Sequence, residues 1–290
     1  MLHPFKNLSY LLTALVCSAS LYACSNDTSQ DTGSLSLAIT DAPVDGAQSV
    51  VVTFTSVLIK PTSGDAEIIM LDQPKQIDLL NLSGTHSTVL LDDLVLTAGD
   101  YEWIRLAIDD DPAMTYIVDS MGQQHSLRIP SGDTTGLKLN REFNIASDGE
   151  IAFTIDFDLR KSVHMTGSGQ YMMRPTLRIV ETEQAASLSG TVDNTLVTEG
   201  CAPGVYLFDA ELALDDLDGI DDPIFSSALP EQGPFTYSAG FLPAGDYRIG
   251  FTCDAGQDAN DEDDVLSFSH EMVVTLSAGE DAVFDFAPST

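Results

Sequence analysis

The chain has 290 residues, enough for one large domain or two ordinary ones, and its 43% apolar share is that of a packed protein. Twelve Lys and Arg face 45 Asp and Glu, giving a formal net charge of -33. Such a surface repels phosphate backbones and anionic headgroups, which argues against nucleic acid and leaves cations, basic partners or plain solubility.

Taken in chain order, the first element is a targeting segment. After Lys6, "LSYLLTALVCSASLYAC" is apolar, short for a bilayer span, and ends in small residues at a cysteine. Leu21-Tyr22-Ala23-Cys24 resembles the bacterial lipobox, although Tyr22 is bulkier than the pattern prefers; Cys17, preceded by Val16, fits less well. The resemblance implies a signal peptide over residues 1–23, lipidation at Cys24 and membrane attachment through the lipid. Ser25, a non-Asp residue after the cysteine, resembles an outer-membrane sorting signal. The bland alternative is an ordinary secretory signal with an incidental cysteine. Residues 24–33 read as a flexible tether.

Beyond it the pattern is that of strands. "SLSLAIT" places Leu35, Leu37 and Ile39 on one face, the period of a half-buried strand. "SVVVTFTSVLI" (Ser49 to Ile59) is β-branched and aromatic, as a strand buried on both faces would be. Ile77 to Leu82 suits a short turn. "LTAGDY" at Leu96 to Tyr101 recurs as "LPAGDY" at Leu242 to Tyr247, each time launching a strand from a turn. The repeat points to two sandwiches of related design. "GLKLNREFNI" and "IAFTIDFDL" flank Ala146 to Gly149 and predict a hairpin that sets Asn144 opposite Ala152 and Lys138 opposite Asp158. In that register Leu137, Leu139, Phe143, Ile145, Phe153, Ile155 and Phe157 face the core, while Asp156 and Asp158 lie on the polar side and give Lys138 a cross-strand salt bridge. "HMTGSGQY" (His164 to Tyr171) reads as a second hairpin connection.

The expected fold is all-β, two antiparallel β-sandwiches in tandem, over residues 34–182 and an acidic 187–290, with the boundary at "ETEQAAS". "ITDAPVDGAQSVVVTFTSVLI", "IDLLNL", "LTAGDYEWIRLAI", "LRIPSGDTTGLKL", "IDFDLRKSV" and "YMMRPTLRIV" follow in order along the first of these. That series resembles a bacterial lipoprotein family, domain-of-unknown-function family 4382, and implies a prealbumin-like sandwich with no biochemical activity attached. The second region resembles, more loosely, the prealbumin-like modules appended to surface proteins and peptidases.

Cys201 and Cys253 lie in an exported region, where a disulfide is the structural reading, and closing that loop stabilises by about 2–4 kcal/mol. Two acidic stretches, "DDLDGIDD" and "DAGQDANDEDD", offer Asp216, Asp218, Asp221, Asp222, Asp254, Asp258, Asp261 and Asp263 as hard oxygen ligands that could cage calcium. Neither matches the helix-loop-helix calcium motif, and acidic loops are commonly just solvated. His86, His125, His164 and His270 lack metal spacing, and no nucleophile elbow or phosphate loop is present. Trp103 and Tyr101 could make a sugar platform, but their strand is apolar on both faces and core packing is expected. No catalytic residue is singled out. The expectation is a lipid-anchored envelope protein of the bacterial outer membrane, binding a partner protein, glycan or cation without catalysis. The alternative is a carbohydrate-active or accessory protein using its loop carboxylates.

Overall fold

The computed structural model describes residues 31–42, 47–130, 136–230, 232–259 and 262–288, so the signal segment, Cys24 and Asp261 lie outside the described residues. From Asp31 onward the chain is one compact unit. Its apolar side chains nevertheless gather into two separate cores, one drawn from positions 35–173 and the other from 186–286. Each core lies between sheets, which makes the molecule all-β: two β-sandwiches in tandem. Among the described residues no helix is long and apolar enough to cross a membrane.

In the first sandwich a four-stranded sheet has the order Leu177–Glu181, Glu150–Asp158, Thr32–Ala42, Thr88–Thr97. It faces a nine-stranded sheet centred on Ala47–Pro61 and Gly99–Asp109. Leu35, Leu37 and Ile39 are buried, each contributing about 1.5–3 kcal/mol of apolar burial. Strand Ala47–Pro61 is covered on both faces. Val50, Val52 and Phe54 enter the core, while buried Thr53 on the other side donates to the Met114 carbonyl at 2.5 Å. Leu79–Leu82 forms a single 3-10 turn. Val163–Met165 and Tyr171–Met173 pair as an antiparallel hairpin through "HMTGSGQY". The first strand begins at Thr32, inside the segment expected to be tether. Gly33 belongs to it by necessity, because a Cβ there would sit 2.5 Å from the Ala146 carbonyl oxygen.

Not every pairing is antiparallel. Thr32–Ala42 runs parallel to Glu150–Asp158, and Ala186–Thr191 runs parallel to Asp281–Val283. The first of these overturns the expected hairpin around Ala146 to Gly149. Leu137–Leu139 and Phe143–Ile145 pair with Gly99–Asp109 in one sheet, whereas Glu150–Asp158 lies in the other, between Thr32–Ala42 and Leu177–Glu181. The turn exists, with Gly149 N–H donating to the Ala146 carbonyl at 3.0 Å, but it is an arch between sheets. Its other backbone groups are taken by the first strand: Asp148 N–H donates to Thr32 and Ser34 N–H to Gly149. The inward face was read correctly, since burial follows side-chain alternation whichever strand lies alongside. The polar face was not. Asp156 is buried against Arg178 at 2.5 Å, Asp158 pairs with Lys161 at 3.3 Å, and Lys138 lies 5.0 Å above the Trp103 ring. Burial holds the Asp156 carboxyl above the usual range in spite of Arg178.

The second sandwich sets Thr236–Leu242, Ala186–Thr191 and Asp281–Val283 against Phe225–Ala228, Gly204–Asp209, Gly245–Thr252 and Phe268–Leu276. The repeated hexapeptide now has one explanation for both copies. In each, the turn carries the chain from one sheet of its sandwich to the other. Tyr101 donates its hydroxyl to the Thr97 carbonyl at 2.7 Å, and Tyr247 donates to the Pro243 carbonyl at 2.6 Å. Each tyrosine is buried and reaches back four residues, tying the new strand to the end of the old one.

Candidate functional site

Strand Gly204–Asp209 is apolar on both faces. Val205 and Leu207 enter the second core, while Tyr206 and Phe208 point the other way and are covered by Leu212, Leu214, Ala255, Leu266 and Phe268. Leu212 and Leu214 lead into the first acidic stretch, Ala255 lies within the second, and Leu266 and Phe268 follow it. The loops are therefore anchored through the apolar side chains that flank them and through Ala255, and their carboxylates are brought together over the outer face of the sheet.

At the centre is a buried network that crosses between the sandwiches. A short helical turn, Leu159–Ser162, follows strand Glu150–Asp158 of the first sandwich and delivers Arg160. Its guanidinium donates to Asp258 Oδ2 at 2.7 Å, to Ser226 Oγ at 2.7 Å and to the Tyr206 hydroxyl at 3.2 Å, all in the second sandwich. The Arg160 side chain is 5% exposed and that of Asp258 0%. Tyr206 also donates to Asp258 Oδ2, and the Leu217 N–H donates to Oδ1 at 3.0 Å, so both carboxylate oxygens are engaged. Burial, aided by Asp258 and opposed by Arg160, raises the Tyr206 phenol well above its ordinary range and keeps it a donor. Beside it Lys161 Nζ donates to the Pro223 carbonyl. Gly240 packs against Gly84, where an added Cβ would come within 2.3 Å of a carbonyl oxygen.

Around this network the carboxylates crowd. Oxygens of Asp216, Asp258 and Asp264 lie within 4.8 Å of one another, as do those of Asp216, Asp218 and Asp263. Asp216, the shared member, is 1% exposed and accepts the Asp264 N–H. Burial, with the charge of Asp215 beside it, holds its carboxyl above the usual range against that hydrogen bond. Hard oxygen donors in this grouping are what a divalent cation takes, and Asp216, Asp218, Asp263 and Asp264 are the residues that could hold one. Among the described residues, Asp221, Asp222 and Asp254 fall outside these groups. Asp222 accepts the Gly219 N–H at 2.8 Å, Asp254 accepts the Ser267 N–H at 2.9 Å, and Asp221 is a turn residue with φ of 52°. Asp261 lies outside the described residues. Asp264 was missed, although it ends the same acidic run. Arg160 was missed as well, and its signal was a deficit: residues 185–290 hold 21 acids and one base, so a counter-ion had to come from elsewhere.

Cys201 and Cys253 are joined by a disulfide that ties the approach to Gly204–Asp209 to the end of Gly245–Thr252. Tyr101 is core, stacked on Phe143 at 5.1 Å, but Trp103 is not. It is half-buried, with Arg105 at 4.7 Å and Lys138 at 5.0 Å over its ring. It lies on the half-buried outer face of its strand with Arg105 and Ala107, while Ile104, Leu106 and Ile108 take the core face, which apolar composition could not reveal.

No curated protein matches the chain. Among solved structures, the Bacillus anthracis TIE protein aligns at 13% identity and TM-score 0.22 over 88% of this chain and 34% of its own. The minor pilin GBS52 of Streptococcus agalactiae aligns at 9% and 0.22 over 89% of this chain and 98% of its own. The major pilin BcpA of Bacillus cereus gives 10% and 0.21 over 88% and 99%. This chain thus spans about a third of the TIE protein, and TM-scores this low carry no argument. The family comparison is more informative, because it falls on the first sandwich with its inter-sheet tyrosine corner and its Arg160 turn: residues 32–175 match the model described as Domain of unknown function (DUF4382).

Proposed function

We propose that this is a non-catalytic envelope protein, held on the bacterial outer membrane through an acylated Cys24, which presents two rigidly joined β-sandwiches to a partner protein or glycan and takes calcium into its acidic loops. The observation that carries this reading is the Arg160 junction. A guanidinium from one sandwich, buried against Asp258, Ser226 and Tyr206 of the other, favours a single mutual orientation, as a presenting platform needs. The same packing seals Asp216 and the Asp258 side chain from solvent, so this carboxylate pair is closed to a sugar. Crowded, partly desolvated oxygens around Asp216 favour a divalent cation as the relief of their repulsion. The lipobox-like Leu21 to Cys24 and the exported disulfide support the compartment.

The test uses the chain from Cys24 onward, melted with about 1 mM calcium, in the range of extracellular sites, and again with chelator. Calcium is expected to raise the melting temperature by several degrees and Asp264→Asn to remove the shift; equal melting with and without calcium would end the cation part. In a Gram-negative host, Cys24→Ala should release the protein from membranes, and unchanged membrane association would end the anchor.

A further inference from the structure

Five cations of this acid-rich chain have an acidic partner. Lys60 pairs with Glu102, Lys161 with Asp158, Arg178 with Asp156, Arg160 with Asp258 and Arg248 with Glu271. Arg128 makes no ion pair among the described residues, and it borders a cavity of about 320 Å³. The cavity lies toward the edge of the nine-stranded sheet, where Tyr171–Met173 runs parallel to Gln124–Arg128 and sets Met172 beside Arg128.

The wall beneath is held firmly. His125 Nε2 meets Asp119 Oδ2 at 2.7 Å, and Asp119 Oδ1 accepts the N–H groups of Met121 and Gln123 at 2.9 Å each. The Gln123 amide and His125 hold the Asp119 carboxyl below the usual range, so it is the acceptor and Nε2 carries the proton. The His125 ring in turn lies 5.1 Å from that of half-buried Tyr171. Asp110 and Gln170 complete the rim.

We infer that this cavity binds a uronic acid, a sugar ring bearing one carboxylate. An unpaired guanidinium matches a carboxylate with a two-pronged hydrogen bond, and a strongly acidic protein holds an anion only where a cation is provided locally. Asp110 on the same rim disfavours a multiply charged phosphate, yet suits sugar hydroxyls, which it and Gln170 can accept. Tyr171 gives the ring an aromatic surface. The volume is at the small end of ligand cavities and fits one pyranose better than a chain.

This inference rests on the binding role proposed above, but its test is separate from the calcium and anchor measurements, so either can fail without the other. The chain from Cys24 onward is titrated calorimetrically with D-glucuronate, glucose and acetate. Glucuronate should bind at least about tenfold more tightly than either control, and Arg128→Gln should weaken it about tenfold, near 1.4 kcal/mol, with the melting temperature unchanged. Glucose or acetate binding as well as glucuronate, no binding of glucuronate, or full affinity in Arg128→Gln would each overturn it.

Discussion

The two sandwiches solve one architectural problem alike and one electrostatic problem differently. Both turn the chain between sheets with the same Ala-Gly-Asp-Tyr corner, its tyrosine reaching back to a carbonyl four residues earlier. Their charges diverge. Residues 24–184 carry 24 acids and 10 bases, and residues 185–290 carry 21 acids and Arg248 alone. Arg248 is committed at the sheet surface, to Glu271 and to the carbonyls of Leu212 and Ala210. The buried carboxylate of Asp258 in the second sandwich is balanced by Arg160 from the first. Two modules with separate apolar cores can thus depend on one another through a few buried polar contacts, and charge balance counted module by module misses them.

The largest test of that dependence is Arg160→Met, which keeps much of the side-chain volume but strands a buried carboxylate. It should destabilise the protein by about 3–5 kcal/mol in denaturant unfolding. A loss under about 1 kcal/mol would mean that Asp258 does not rely on the guanidinium. Smaller effects probe the likeness of the corners. Tyr101→Phe and Tyr247→Phe each remove one hydroxyl donor and should each cost about 0.5–1.5 kcal/mol by thermal or chemical unfolding. A clear cost at only one would break the structural equivalence that the repeat implies.

The smallest effect is set by pH. Asp216 is held above the ordinary carboxylate range by burial, so the folded chain takes up its proton at higher pH than the unfolded chain does. The stability tied to that proton is therefore present at low pH and lost as pH rises through the folded-state value. Asp216→Asn, which retains an oxygen for the Asp264 N–H, should raise the melting temperature near neutral pH without divalent cation. The gain should fade on acidification, and a gain undiminished at about pH 4 would exclude charge burial as its cause.

The alternation along the strands determined most of the inward-facing apolar side chains, with Trp103 and the buried Asp156 as exceptions. Alternation in "SLSLAIT", the doubly apolar "SVVVTFTSVLI" and the paired corners come from local steric and solvent preferences that each segment carries with it. Only the tertiary structure decided which strand lies beside which. Glu150–Asp158 has the same buried face whether it folds back on Leu137–Leu139 or pairs with Thr32–Ala42 from far earlier in the chain, since pairing is settled by competition among distant backbone partners. The site followed the same division. Acid-rich loops were legible as composition, whereas Asp264 in place of Asp222 and Asp254, and a guanidinium brought from 98 residues away, emerged only once both cores were packed. Coulombic partners are chosen by distance in space, and spacing along a chain does not encode that distance.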